Sequence, residues 1–169
     1  MNLQEALEAG IGYETRARDL YRRAAEQCPD PAGLRLLSQL ADDEEGHREH
    51  LARQLERWRE AGELDDAPAP RVLPIAAAAK VSAEAIARRS ARSDPRNEIE
   101  ALQEALVIER DTSAFYRRVA GSLEGRARDL FKHFVEVEEG HFHLVAAQLD
   151  ALTGVGKWFD LDAFMSQEG

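Results

Sequence analysis

Glu44-Glu45-Gly46-His47 and Glu138-Glu139-Gly140-His141 are the same four residues in the same order, and they decide how the rest of the chain is read. Each holds a carboxylate and an imidazole three positions apart. On a helix that spacing puts both side chains on one face, about one turn apart. A single Glu-x-x-His says little, because glutamate is common on helix surfaces. Two copies, each preceded by a helix with a glutamate inside its apolar stripe, say much more. The pairing is the ligand pattern of a carboxylate-bridged two-metal site in a four-helix bundle.

Working outward, Leu3, Leu7, Gly10, Glu14, Ala17, Tyr21 and Ala24 alternate steps of four and three, the stripe of a bundle helix with Glu14 in its middle. Cys28-Pro29-Asp30-Pro31 ends that helix, since neither proline lets it continue. A second helix is predicted from about Ala32 to Ala61, with Leu37, Ala41, Glu44, His47, Leu51, Leu55 and Trp58 on its inner side. Pro68, Pro70 and Pro74 then exclude regular helix, so the stretch after Gly62 reads as a crossover rather than a tight turn. A short helix over Ala83 to Ala91, capped by Ser82, is expected within it. Asp94-Pro95 signals the start of a third helix that runs to about Ser122, with Leu102, Ala105, Glu109, Thr112, Tyr116 and Val119 as its stripe. A fourth, from about Arg126 to Leu152, carries Phe131, Phe134, Glu138, His141, Val145, Gln148 and Leu152. The tail from Thr153 holds Trp158, Phe159, Leu161 and Phe164 and is expected to pack back on the bundle.

The two halves repeat each other. Glu14, Tyr21, Arg22 and Arg23 recur 95 residues later as Glu109, Tyr116, Arg117 and Arg118, and Glu44 to His47 recur 94 residues later as Glu138 to His141. The one-residue change is a difference in length between the two short inter-helix loops. The reading is therefore one all-α domain over 1–169. Hairpin 1 spans about 3–61 and hairpin 2 about 95–152, the crossover 62–94 joins them about a pseudo-twofold axis, and a short tail covers 153–169.

Composition narrows the class. The 169 residues are enough for a substantial core, and 44% hydrophobic with 32% charged residues is the mix of a soluble globular protein. A net charge of -10 argues against nucleic acid and anionic membrane as partners. Cys28 is the only cysteine, which excludes an internal disulfide, a Cys-x-x-Cys redox pair and a cysteine zinc knot. With no basic-then-apolar start and no apolar run long enough to span a bilayer, the expected location is the cytoplasm.

Four glutamates at core-stripe positions need an explanation, because ionised groups resist leaving water unless they are paired or coordinated. Left alone, they would repel one another and some would stay protonated. Two divalent cations would remove both problems. Glu44 and Glu138 would bridge, Glu14 and Glu109 would be terminal, and His47 and His141 would give one nitrogen to each metal. Mixed carboxylate and imidazole ligation suits iron or manganese, and zinc also fits. Tyr21 and Tyr116, seven residues beyond Glu14 and Glu109 on the same faces, are expected to hydrogen-bond a site carboxylate. Glu45 and Glu139 read as surface charge, and Arg22-Arg23 and Arg117-Arg118 as solvated helix ends. His50, His133 and His143 lack counterparts in the other half and read as surface residues or as residues of the shell just outside the ligands. Gly46 and Gly140, costly inside a helix, imply either close helix approach or open space beside the site.

With these residues in view, the chain resembles the ferritin-like superfamily and, within it, the rubrerythrin family. The resemblance covers both hairpins and rests on the paired Glu…Glu-x-x-His motif. It implies a ferritin-like four-helix bundle with a non-haem di-iron centre at Glu14, Glu44, His47, Glu109, Glu138 and His141. Members of the family oxidise ferrous iron with oxygen or peroxide, and several are peroxidases that protect against oxidative stress. Two departures stand out. Rubrerythrins proper carry a rubredoxin module with two Cys-x-x-Cys pairs, which this sequence lacks, so electrons are expected from an external donor. They also carry an extra glutamate three residues after the helix-three ligand, where this chain has Thr112. The remaining four-glutamate, two-histidine set is closer to the symmetric centre of bacterioferritin. The expectation is a di-iron oxidoreductase that reduces peroxide or oxygen, with non-catalytic iron handling as the rival and a di-iron hydroxylase third. Acidic bundles with a long crossover often dimerise, so a homodimer is expected.

Overall fold

Capping starts the first helix. Asn2 accepts the backbone N–H of Glu5 at 2.9 Å while the Glu5 carboxylate accepts the Asn2 N–H at 3.0 Å, a reciprocal capping box that opens α1 (Leu3–Gln27). Asp30 caps α2 (Pro31–Ala61) by accepting the N–H groups of Ala32 and Gly33, with Pro31 at the first turn, one residue before the boundary that the sequence suggests. Gly62, at φ 69°, closes α2 in the left-handed conformation that only glycine adopts without strain. Two further helices follow, α3 (Arg96–Ser122) and α4 (Gly125–Thr153), and a second left-handed glycine, Gly154, ends the last one.

The structure is a computed structural model that describes residues 1–66, 68–72 and 96–154. The expected short helix over 83–91 with its Ser82 cap, the Asp94-Pro95 start and the tail aromatics Trp158, Phe159, Leu161 and Phe164 lie outside the described residues. Among those described, the chain is all helical, as a ferritin-like four-helix bundle requires. α1 packs against α2, α3 against α4, and α1 also meets α3. After α2 the chain runs as irregular coil along α4. Gln54 holds both backbone groups of Asp65, Arg126 pairs with Asp66, and His133 Nε2 lies 2.6 Å from the Pro70 carbonyl oxygen.

The predicted stripes are the buried faces. Every stripe residue of α1 and α3 is buried, and on α2 and α4 only Trp58 and Leu152, at the outer ends, are partly exposed. The core is split in two. One apolar cluster gathers Leu20, Tyr21, Leu36, Leu37, Leu40 and Val145, and the other Leu7, Leu51, Phe115, Tyr116, Phe131 and Phe134. Between them lies a layer of buried glutamates and histidines. No described helix is long and apolar enough to cross a membrane.

Candidate metal centre

All six residues singled out by the repeat meet in that polar layer. Glu14, Glu44, Glu109 and Glu138 are fully buried, and His47 and His141 nearly so. Each helix supplies its glutamate from the middle of an apolar stripe, so the bundle itself carries the carboxylates inward, and the one-turn spacing brings each histidine beside its glutamate. His141 Nδ1 lies 2.8 Å from Glu44 Oε1, across the bundle. His47 Nδ1 lies 3.3 Å from Glu44 Oε2 and 3.3 Å from Glu14 Oε2. The two imidazole rings stack at 5.1 Å between centroids.

The ligand atoms fall into two overlapping sets. Glu14, Glu44, His47 and Glu138 offer atoms within 4.8 Å of one another, and so do Glu44, Glu109, Glu138 and His141. Each set has one glutamate and one histidine of its own, and the sets share Glu44 and Glu138. The tyrosines lie where the sequence suggests, and they cross between hairpins. Tyr21 donates to Glu109 Oε1, and Tyr116 donates to Glu14 Oε1. Each bond ties down one oxygen and leaves the other facing the layer.

The leftover oxygens test whether these residues suit divalent cations. Glu14 Oε2, Glu109 Oε2 and both oxygens of Glu138 are buried without a hydrogen-bond partner. Orphaned buried acceptors are costly, and carboxylates more so than neutral groups. Two cations, one in each set, would satisfy them all, so the donor set fits. Electrostatics agree. Burial, reinforced by Glu138, Glu14 and Glu109, pushes the Glu44 carboxyl well above the usual range, and burial with Glu14 and Glu109 does the same to Glu138. Glu109, buried but hydrogen-bonded by Tyr21, is pushed up to about 7. Burial also opposes ionisation of Glu14, yet the closeness of His47 and Glu44 and the Tyr116 hydroxyl outweigh it and hold its carboxyl below the usual range. Burial, helped by His47, drives His141 well below the usual histidine value, so it stays neutral and able to ligate.

The surroundings correct parts of the reading. His50 is buried, not a surface residue: only 2% exposed, it packs near Phe134 and lies 3.3 Å from Gln54 Nε2. His133 is partly buried and holds the crossover, and His143 sits edge-on to Phe142. Glu45 is a paired surface charge that hydrogen bonds from Arg48 and Arg18 hold down at about 2, and Glu139 pairs with Arg117. Gly46 is exposed with open space around it, whereas Gly140 is buried, so the two glycines do not share one reason. Thr112 is buried and donates to Ile108 O on its own helix.

Two groups escaped the sequence reading. Asp43 Oδ2 lies 3.9 Å from His141 Nε2, on the side of the ring away from Glu44, and its position just before Glu44 was the only available hint. Glu98 is 4% exposed at the far end of the bundle, where it accepts from Gln148 at 3.0 Å and from the Cys28 thiol at 3.5 Å.

Four helices enclosing two such carboxylate–histidine sets define a ferritin-like carboxylate bundle. A model of the rubrerythrin family matches residues 5–149, which takes in both hairpins, and the chain belongs to the rubrerythrin family, the ferritin-like di-iron carboxylate family. No curated protein and no solved structure matches it.

Proposed function

We propose that the protein is a non-haem di-iron oxidoreductase that reduces peroxide or oxygen with electrons from Fe(II) or an external donor. The observation that carries the reading is the pair of four-residue sets sharing Glu44 and Glu138. In this reading Glu14, Glu44, His47 and Glu138 would hold one iron, and Glu44, Glu109, Glu138 and His141 would hold the other. Once bound, the iron pair would supply the redox equivalents for reducing peroxide or oxygen.

The chain's own residues do the rest. Tyr21 and Tyr116 each hold one oxygen of a terminal glutamate, so that its second oxygen is aimed at the centre before any metal arrives. Leu7, Leu40, Leu51, Phe131 and Phe134 above and below the layer exclude bulk water, which strengthens every charge interaction inside. A homodimer remains part of the proposal.

Turnover separates this reading from iron handling alone. With iron loaded and a reductant in excess, peroxide consumption should continue over many cycles per chain and be abolished in Glu138→Ala. One burst that then stops would assign the protein to iron handling.

A further inference from the structure

The two site tyrosines are twins in their hydrogen bonds and opposites in their surroundings. Tyr116 sits among rings, with centroids 5.3 Å from Phe115, 5.7 Å from Phe131 and 5.2 Å from Phe134. Phe115 stacks in turn on Tyr13, at 4.6 Å and 22°. Tyr13 is only partly buried, and the guanidinium carbon of exposed Arg16 stands 4.4 Å over its ring. Rings therefore run without a break from the surface to the hydroxyl that donates to Glu14.

Among the described residues, no such route surrounds Tyr21. The repeat places Ile108, Leu20, Leu37 and Leu40 where the other half has Tyr13, Phe115, Phe131 and Phe134, and all four pack in the cluster that holds Tyr21. Aliphatic side chains fill a core as well as rings do, so packing alone does not require the difference. What rings add is π-electrons at van der Waals separation. The phenols at either end of Tyr13–Phe115–Tyr116 add groups that can be oxidised.

We propose that Tyr116, reached through Phe115 from the surface ring of Tyr13, is the tyrosine through which electrons from an external donor pass to the centre, while Tyr21 only holds Glu109. The proposal rests on the oxidoreductase reading above. Tyr116 gives one electron to the peroxide-oxidised centre as its phenolic proton crosses to Glu14 Oε1, which leaves a neutral phenoxyl radical and a neutral carboxyl group. One electron from the donor, arriving by way of Tyr13 and Phe115, and return of the proton restore phenol and carboxylate. The donor leaves oxidised by one electron.

The test uses metal-free full-length protein and photogenerated tris-bipyridyl ruthenium(III) as a one-electron oxidant in solution, with freeze-trapped electron paramagnetic resonance as the readout. The wild type should yield a buried tyrosyl radical that is lost in Tyr116→Phe, lost again in Tyr13→Leu, and retained in Tyr21→Phe. Tyr13 is outside the fully buried core, so Tyr13→Leu keeps the test open if Tyr116→Phe folds poorly. No radical in the wild type, a radical that persists in Tyr13→Leu, or one lost only in Tyr21→Phe overturns the proposal. With iron loaded, Tyr13→Leu should slow peroxide-driven oxidation of ferrocyanide without changing Fe(II) stoichiometry. If the wild type itself fails to turn over peroxide, the oxidoreductase reading falls, and the metal-free radical assay still judges the ring path separately.

Discussion

The two hairpins agree about the centre and differ almost everywhere else. In the polar layer the pseudo-twofold relates the six candidate ligands and the tyrosine bonds: Tyr21 donates to Glu109 as Tyr116 donates to Glu14. One turn of helix further out it breaks, with leucines around Tyr21 and aromatic rings around Tyr116. Gln54 and Gln148 are related by the repeat, yet Gln54 clasps the Asp65 backbone where the crossover begins and Gln148 binds Glu98 beyond its end. The difference teaches which positions chemistry constrains. A ligand atom must sit within a few tenths of an ångström of its place, whereas a core neighbour need only match volume and polarity.

The sharpest way to break the comparison is to strike the shared ligands one at a time. Glu44→Ala and Glu138→Ala should each abolish peroxide turnover and each lose both metals, measured by elemental analysis after gel filtration. Loss of one metal in one variant only would show that the sets are not shared. The same position should reverse sign when the metal is absent. Below the ordinary glutamate value of 4.5, Glu138 is protonated in both folded and unfolded chains and adds no pH dependence. Above it, the unfolded chain releases that proton while burial makes the folded one keep it, so stability falls as pH rises until the raised folded pKa is passed. Glu138→Gln should remove this slope of at most about 1.4 kcal/mol per pH unit, making metal-free protein more stable near neutrality. Urea denaturation at a series of pH values reads it directly, and an unchanged slope would contradict the assignment.

Core substitutions sharpen the aromatic-against-aliphatic contrast. Phe134→Ala should destabilise by about 3–5 kcal/mol and its counterpart Leu40→Ala by about 2–5 kcal/mol, since both side chains are fully buried. Thermal or urea unfolding would compare them. The glycines give smaller effects of opposite sign. A Cβ on Gly33 would fall 2.5 Å from Glu98 Oε1 and 2.7 Å from Cys28 Sγ, displacing the carboxylate that Gln148 holds. Gly33→Ala should therefore cost about 1–3 kcal/mol as overpacking, although the repeat places Ala127 at the matching position of the other hairpin. Gly46→Ala meets nothing within 4 Å and should stabilise the helix by roughly 0.5–1 kcal/mol.

Legibility in the sequence follows the same division. Helix periodicity and the repeated Glu-x-x-His are local patterns, and they placed four helices and all six candidate ligands in one layer. The tyrosines were legible for the same reason, being two turns from a ligand on the same face. What escaped depends on contacts between distant segments. Glu98 looks like an ordinary acidic residue in a first helical turn, and it is buried where Cys28 and Gly33 from the first inter-helix junction and Gln148 from α4 close on it. His50 has no partner in the repeat, but Gln54 draws the crossover down beside it and Phe134 leans on it from α4. The ring path was hidden because Tyr13 and Phe115 lie beside the stripes rather than in them, and neighbouring positions on two helices meet only once those helices are packed.

An anaerobic Fe(II) titration of the metal-free protein, followed by a peroxide pulse under optical readout, tests the central claim most directly. The account predicts two irons per chain, bound with release of protons from the raised carboxyl groups, and a ferric absorption band on oxidation that is missing in Glu138→Ala. A chain that binds no iron, or a single iron held equally well by the variant, would contradict it.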